Sequence, residues 1–412
     1  MELRIPPRHI NMPSDIRTVN EMRVLGQFRS GDKITAADIQ SATGISKPTI
    51  MKILQHMCVQ GLIRPAGTGS STSAGGKKPE LYVFADERKI LSVSFWPHKT
   101  TLALAGIVGD VFALETVEHE LGSDLDAEIL WLQQTIRNYL KKTGFSMTSL
   151  FGAVISTSGT VDYYRSILRY NSQAPAWGSN VHLKEYLEEH FGASELYAVE
   201  NAGKAAGRGL LVNNPELNDK SVLSLFTTWG VSACLMEHGR VLNGKDFLIG
   251  EIGHMTVSDT YAELCGCGRR GCLEQIVSMA NVRRMAKELE APWFREEAEF
   301  SFEELFSLSR DGDACARTIV KRLAHWFAIA LHNVMLIYNP DTVIFQGNFA
   351  YADACFDNCL RTELNTFRYL LGESVQICYD RTPLELQAAK GGVDMLRRVF
   401  FSSPQSEFGI DR

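Results

Sequence analysis

The sequence lacks the cysteine density of a disulfide-rich protein and has no long apolar run. Nine cysteines in 412 residues do not suggest the disulfide framework of a small secreted domain. No window approaches the roughly 18 consecutive apolar residues of a membrane span. The opening MELRIPPRHI also lacks the apolar core of a signal peptide. We therefore expect a cytoplasmic protein that is not inserted in a membrane.

The composition is that of a folded protein with an uneven charge distribution. Hydrophobic residues make up 45% and charged residues 22% of the chain, which excludes a disordered or collagen-like protein. The length indicates two or three domains. Residues 1–85 carry 11 Lys and Arg against 6 Asp and Glu, whereas the remainder carries 31 against 42. This modestly basic N-terminal segment is the part expected to bind any polyanion.

Residues 1–85 predict three short helices followed by a hairpin. Apolar residues recur at the helical period over residues 18–28. A second helix is expected from the N-cap Thr35 to Gly44, and a third from the N-cap Ser46, with Pro48 in its first turn. Strand-like residues 62–64 and 81–84 then flank the run GTGSSTSAGG, which indicates a hairpin with a flexible tip. This order of elements predicts a winged helix-turn-helix.

Polar and basic residues of this head are candidates for contacts with double-stranded operator DNA. A recognition helix meets bases and phosphates near its N-terminal end, and lysines of a wing reach phosphates or a minor groove. The alternative is that the helix face and the hairpin loop are merely exposed to solvent. The winged arrangement favours the interpretation that they contact DNA. The predicted DNA-binding residues are Thr35, Ser46, Lys47, Thr49, Lys52, Lys77 and Lys78.

The rest of the chain alternates between strand-like and helical segments. The strand-like segments are residues 102–108, 152–155, 222–226 and 342–345, and the helical ones are residues 128–142, 183–190 and 318–337. This alternation predicts an α/β body, whose length suits two lobes with a cleft between them.

One segment, GEIGHMTVSDTYAELCGCGRRGCLE at residues 250–274, carries a set of metal ligands. It supplies one imidazole and three thiols, from His254, Cys265, Cys267 and Cys272. This set suits tetrahedral Zn²⁺ in a closed structural site, and the intervening glycines let the sulfurs converge. A closed site leaves no open position for hydrolysis, so we predict a structural zinc. Free buried thiols are the alternative.

With its GEIGH start and its CGCGRRGCLE end, this segment resembles the signature of the ROK family of repressors and sugar kinases. The winged head places the chain with the transcriptional repressors of that family. The resemblance covers essentially the whole chain and implies an α/β, two-lobed, actin-like sugar-kinase fold behind the head. It implies a first lobe at residues 86–200, completed by a C-terminal helix at about 385–401, and a second lobe at residues 201–384. It also implies a homodimer or homotetramer.

The resemblance further implies a sugar site. ROK sugar kinases hold the sugar with the Glu and His of GEIGH and the Glu of CLE, which correspond to Glu251, His254 and Glu274. Asn201, from the stretch that matches the kinases' catalytic motif, joins these candidates. Carboxylates and imidazoles suit sugar hydroxyls because they accept hydrogen bonds. The alternative is that these residues serve only as scaffold around zinc.

The catalytic groups of a ROK kinase are replaced in this sequence. The kinases' general base is the Asp of a Glu-Asn-Asp-Ala stretch, and Ala202 stands in its place without a proton acceptor. The phosphate-binding loops also depart from the family pattern, in SVSFWPHKTT, in Thr228-Trp229-Gly230-Val231-Ser232 and in Gln346-Gly347. We therefore predict no catalytic residue and no kinase activity.

Together these features predict a DNA-binding transcriptional regulator, expected to be a repressor of genes for carbohydrate uptake or metabolism. Its effector is expected to be a sugar or a sugar phosphate. Two alternatives stay open. The first is an ATP-dependent sugar kinase in which another base replaces Ala202. The second is a regulator controlled by a protein partner, such as a sugar-transport component, without a small-molecule effector.

Overall fold

The computed structural model describes residues 13–69, 78–191, 196–261, 263–366 and 375–403 of the chain. Within these ranges an N-terminal head precedes two lobes, each built on its own β-sheet. None of the helices in the described part of the chain has the length and hydropathy needed to cross a membrane.

The head has the winged helix-turn-helix arrangement that the sequence predicts. Its elements are α1 (Pro13–Leu25), β1 (Ile34–Thr35), α2 (Ala36–Thr43), α3 (Lys47–Val59), β2 (Ile63–Thr68) and β3 (Glu80–Phe84). The strands form an antiparallel sheet in the order β1-β3-β2. The first helix begins earlier than the predicted residue 18 and ends at Leu25, where a 3₁₀ turn continues to Phe28. Strand β1 was not predicted, because two residues give no periodic pattern.

Local side-chain chemistry fixes the ends of the head helices. Thr35 is the N-cap of α2 and forms a capping box with Asp38, and Gly44 ends the helix with φ 69°. Ser46 is the N-cap of α3, as predicted, but its hydroxyl contacts the hydroxyl of Thr49 at 2.9 Å and makes no capping hydrogen bond. The turn between α2 and α3 is therefore defined at both ends.

The first lobe contains a mixed sheet in the order β11-β7-β4-β5-β6 and a small sheet in the order β10-β9-β8. Its strands are β4 (Lys89–Trp96), β5 (Lys99–Gly106), β6 (Val111–Glu118), β7 (Leu150–Thr157), β8 (Thr160–Asp162), β9 (Ile167–Tyr170), β10 (Ser179–Val181) and β11 (Leu196–Asn201). Its helices are α4 (Leu125–Thr143) and α5 (Leu183–Phe191). Each strand and helix predicted from the sequence in this region is present, although β5 ends at Gly106 and the predicted strand residues 107–108 lie in a turn.

The second lobe contains a sheet in the order β14-β13-β12-β15-β16. Its strands are β12 (Ser221–Thr227), β13 (Val231–Glu237), β14 (Arg240–Val241), β15 (Thr342–Gly347) and β16 (Gln376–Asp380). The helices of this part of the chain are α6 (Ala202–Asn213), α7 (Leu273–Ile276), α8 (Met279–Glu288), α9 (Phe302–Asp311), α10 (Ala314–Ile337), α11 (Ala354–Leu364) and α12 (Leu384–Ser402). The predicted strands and the long helix of this region are confirmed too.

Helix α12 leaves the second lobe and packs along α6 and against β4 and β7 of the first lobe. The two helices approach so closely that only glycine fits at their crossing. A Cβ on Gly391 would lie 1.8 Å from the carbonyl oxygen of Ala205, and one on Gly209 would lie 1.8 Å from that of Gln387. The C-terminal helix thus lies against α6 and the sheet of the first lobe.

Substituting Gly391 by alanine is expected to lower the free energy of unfolding by about 1–3 kcal/mol, because the added methyl forces α6 and α12 apart. Gly26→Ala is the matched control, since a Cβ at Gly26 would meet no atom within 4 Å. Chemical denaturation of both variants measures the difference. Equal stability of the two variants would contradict the tight crossing.

The C-terminal end of α12 also packs against the head. The ring of Phe84 lies 5.6 Å from the rings of both Phe400 and Phe401, and Phe151 of the first lobe lies 5.1 Å from Phe400. The guanidinium of Arg29 lies 5.7 Å from the ring centre of Phe401. Buried residues of the head and of the first lobe consequently form one continuous hydrophobic core.

Candidate functional site

The predicted metal ligands converge at one point of the second lobe. The ligand atoms of His254, Cys265, Cys267 and Cys272 all lie within 4.8 Å of one another. His254 comes from the 3₁₀ turn Ile252–His254, and Cys272 is the N-cap of α7. Gly271, with φ 73°, lies so close to the carbonyl oxygen of Ser258 that a Cβ would be 1.8 Å from it. The tight backbone path predicted for this loop is therefore present.

The spacing of the ligand atoms fits a tetrahedral zinc ion. Zinc bonds of about 2.3 Å to sulfur and about 2.0 Å to nitrogen imply about 3.8 Å between two sulfurs and about 3.5 Å between sulfur and nitrogen. The Sγ atoms of Cys267 and Cys272 are 3.6 Å apart, and Cys265 Sγ is 3.5 Å from His254 Nδ1. These two pairs already have tetrahedral spacing, and all four ligand atoms lie within 4.8 Å of one another, so small side-chain movements would bring them to zinc-bonding distance.

His254 connects this metal-ligand cluster to the cleft between the lobes. While its Nδ1 faces Cys265, its Nε2 lies 4.0 Å from an oxygen of Glu251. Glu274 lies on the other side, with a carboxylate oxygen 3.5 Å from Nδ1. Three of the four predicted sugar-binding side chains therefore lie together beside the cluster, and a metal there would fix the orientation of the imidazole.

These residues line a cavity between the lobes, which we call the inner chamber. It has a volume of about 570 Å³, including the part that is open to solvent. The first lobe contributes the main-chain and polar groups of Ser158, Gly159, Ser172 and Gln173, and the second contributes Glu251, His254 and Glu274. Converging carboxylates, amides and an imidazole in a concave site suit a polyhydroxylated ligand.

Asn201 and Ala202 lie where β11 meets α6, at the wall of the inner chamber. Asn201 caps α6 by accepting a hydrogen bond from the backbone N–H of Lys204, and it donates to the carbonyl oxygen of Gly159 at 2.7 Å. Its side-chain amide therefore already makes two hydrogen bonds, one to the N-terminus of α6 and one to the backbone at Gly159. Ala202, the first residue of the helix, presents only a methyl group to the cavity.

Aromatic side chains occupy the end of the inner chamber nearest the loops that a kinase uses for phosphate. Trp229 lies in the turn between β12 and β13, 4.9 Å from the ring of His98 and 5.8 Å from the ammonium of Lys99. Lys99 forms an ion pair with Glu385 of α12. Trp96 is buried against Phe226 at 5.5 Å. These contacts link the two lobes across this end of the chamber.

Burial shifts the pKa values of two charged groups beside the chamber. It raises the pKa of Glu251, against the opposing effect of His254 and Lys204. It lowers the pKa of Lys204, which is 2% exposed and donates to the carbonyl oxygen of Phe247 at 3.2 Å. Sequence analysis missed Lys204, although a lysine within the small-residue run AGKAAG was a signal for a buried cation.

On the head, the predicted DNA-binding residues fall in two places. Ser46, Lys47 and Lys52 are exposed on α3, and Thr49 is half-buried beside Ser46. Thr35 lies at the start of α2, where its hydroxyl is 2.7 Å from the carboxylate of Asp38. Lys78 is exposed before β3, whereas Lys77 lies outside the described residues. The exposed basic residues of α3 remain predictions as DNA contacts.

The fold and the site define a class of protein in which a winged helix-turn-helix head precedes a two-lobed α/β body with a Cys/His cluster beside its cleft. The model of the ROK family matches residues 97–389, which is more than half of the chain, and the model of the MarR family matches residues 17–69. The chain belongs to the ROK family.

Known proteins similar to this chain include repressors and kinases. A xylose repressor from Bacillus spizizenii is 23% identical over 373 residues, covering 88% of this chain and 91% of that protein. A glucokinase from Thermotoga maritima is 27% identical over 218 residues, covering 51% of this chain and 68% of that enzyme. A crystal structure of a ROK family transcriptional regulator, described as a homolog of the E. coli MLC protein, has a TM-score of 0.76. It is 20% identical to this chain, and the match covers 96% of this chain and 100% of that one.

Proposed function

We propose that the protein is a DNA-binding transcriptional regulator, a repressor of genes for carbohydrate uptake or metabolism, and that a sugar or sugar phosphate in the inner chamber controls its affinity for DNA. One observation carries this proposal. The head packs directly on α12, and the helix that α12 crosses, α6, begins at the wall of the chamber. The similarity to the xylose repressor, which extends over head and body alike, supports it.

Helices α6 and α12 form the route by which the chamber would influence the head. A ligand that moves the lobes displaces the N-terminus of α6 at Asn201. Because α6 and α12 are in tight contact at the glycine crossing, α12 must move together with α6. At its other end α12 presents Phe400 and Phe401 to the base of the wing. Such a ligand changes DNA affinity only if it binds one arrangement of the lobes more tightly than the other.

The inner chamber does not favour phosphoryl transfer. Ala202 supplies no proton acceptor, and the indole of Trp229 lies in the turn where a kinase needs close approach of backbone N–H groups to phosphate. The similarity to glucokinase is the observation that favours kinase activity as a second candidate function. Hexose-dependent consumption of ATP would establish that candidate. If a hexose binds to the protein but no ATP is consumed, the result supports the regulator.

We also propose that the cluster of His254, Cys265, Cys267 and Cys272 holds a structural zinc ion. The agreement of its distances with tetrahedral geometry supports this. When bound, zinc would neutralise the thiolates and hold the loop that carries Arg269 and Glu274 against the chamber. The chain is further proposed to act as a homodimer or homotetramer, because two heads match a palindromic operator.

The test of the regulator begins with DNA fragments that the purified protein selects from genomic DNA at a stated salt concentration. Recovery of a few palindromic sites, released or retained when sugars and sugar phosphates are added, is the expected result. Recovery of nothing above non-specific background would contradict the proposal. A pull-down from cell extract would then decide whether a transport protein is the controlling partner.

Lys47→Ala and Lys52→Ala are each expected to weaken binding to the selected fragments, because both lysines are exposed on α3. The plot of log K against log[salt] has a negative slope, and loss of one phosphate contact makes that slope shallower by about 0.9. Lys141→Ala is the matched control, since Lys141 is an exposed lysine on α4 of the first lobe. Fluorescence anisotropy at several salt concentrations measures the slopes. Slopes identical to that of the control would exclude α3 as the recognition helix.

A further inference from the structure

A second cavity adjoins the inner chamber on the side away from Trp229. This outer chamber has a volume of about 1550 Å³, including the part that is open to solvent. Gly159, Ser172, Glu251 and His254 line both cavities. Glu251 and His254 therefore face both cavities, so a ligand that they bind in the inner chamber lies next to the outer chamber.

A ligand in the inner chamber has less room to grow in the opposite direction. There the ring of His98 and the ammonium of Lys99, both from the first lobe, contact Trp229 of the second. The ion pair between Lys99 and Glu385 of α12 fixes the position of the Lys99 side chain beside Trp229. The outer chamber is consequently the larger space next to a ligand bound by Glu251 and His254.

The walls of the outer chamber combine apolar and polar groups in the way that a sugar ring requires. Leu248 and Met255 present apolar surface, and Tyr170 presents a ring whose hydroxyl donates to the carbonyl oxygen of Gly266. Asp246 and Arg269 supply an acceptor and donors for hydroxyl groups. Leu248 is 61% exposed and lies directly beside the chamber, so its apolar surface is accessible to a ligand there.

The two sides of the outer chamber belong to different lobes. Arg169 and Tyr170 come from β9 of the first lobe, whereas Asp246, Leu248 and Arg269 come from loops of the second. The guanidinium of Arg169 is held by Asp162 and Asn180, so that its wall is preformed. A ligand that fills the chamber touches both lobes and favours the arrangement in which they are close.

We propose that the effector is a glycoside of at least two sugar units, whose first unit binds in the inner chamber and whose second unit binds in the outer chamber against Leu248, Asp246 and Tyr170. The inference rests on the proposed function in one respect, namely that the inner chamber binds a sugar. It adds the size of the ligand and a second subsite to that proposal.

Calorimetric titration of the full chain tests this inference. The probes are maltose, cellobiose, xylobiose and N,N′-diacetylchitobiose, compared with glucose, xylose, N-acetylglucosamine and glucose 6-phosphate. At least one disaccharide is expected to bind ten-fold or more tightly than its own monosaccharide. Binding of a monosaccharide or of the sugar phosphate at least as tightly as every disaccharide would overturn the second subsite and leave the sugar-responsive regulator standing. Binding of no probe would overturn both.

Variants of the outer chamber locate the second unit. Leu248→Ala and Asp246→Asn are expected to weaken disaccharide binding five-fold or more and to leave monosaccharide binding within two-fold. Leu336→Ala is the matched control, because Leu336 is 65% exposed at the end of α10 and does not line either cavity. Unchanged disaccharide affinity in both chamber variants would overturn the proposed location.

Discussion

Replacing Cys267 by serine is expected to abolish zinc binding and to destabilise the second lobe. The variant removes one of four ligands whose atoms lie within 4.8 Å of one another. Structural zinc contributes about 10–16 kcal/mol of apparent binding free energy in small zinc-binding domains, so a loss of more than about 3 kcal/mol in stability is expected. Elemental analysis gives the zinc content per chain, and thermal unfolding gives the stability.

Cys355→Ser is the control for this experiment, because Cys355 is a half-buried cysteine on α11, outside the cluster. It is expected to retain about one zinc ion per chain, the stoichiometry of a closed Cys₃His site. Removal of zinc from the parent protein by a chelator is expected to reproduce the lower stability of Cys267→Ser. Equal zinc content in Cys267→Ser and in the control would show that these four residues do not hold the ion.

The second large effect is expected from Phe400→Ala at the end of α12. Phe400 is fully buried between Phe84 of the head and Phe151 of the first lobe. Removing a buried aromatic ring costs about 3–5 kcal/mol, because the lost contacts leave a cavity. The loss falls at the contact between head and body. We therefore expect the head to lose more stability against local unfolding than the lobes lose.

Hydrogen exchange measures this difference. Backbone amides of α1, α2 and α3 should exchange faster in Phe400→Ala, while those of β12 and β15 in the second lobe should change little. Phe112→Ala is the control, since Phe112 is 49% exposed on β6. Two results would contradict a stabilising contact between α12 and the head. One is an equal loss of protection from exchange in the head and in the second lobe. The other is an exchange rate of the head amides equal to that in Phe112→Ala.

Features that depend on neighbouring residues in the sequence were predicted accurately. The limits of α2 follow from the capping residue Thr35 and from Gly44, because both act on the adjacent turn. The clustering of the four predicted metal ligands was foreseeable for the same reason, since three of them lie within the segment from Cys265 to Cys272. The long helix α10 shows a clear apolar periodicity and was also recovered.

Features that depend on distant residues were not predicted. The contact of Trp229 with His98 joins turns more than a hundred residues apart, and nothing in either turn specifies the other. The burial of Lys204 depends on the carbonyl oxygen of Phe247, which the fold supplies. The outer chamber was missed for the same reason, because its walls come from two lobes.

The aromatic contact between the head and α12 has a consequence for biosynthesis. Ribosomes make the head first, and a domain usually folds as soon as it has been made. Here Phe84 cannot reach its partners until Phe400 and Phe401 have been translated, so the nascent head exposes an apolar patch for most of the time of synthesis. A frameshift near the 3′ end of the gene would therefore impair the DNA-binding head, which the opposite end of the message encodes.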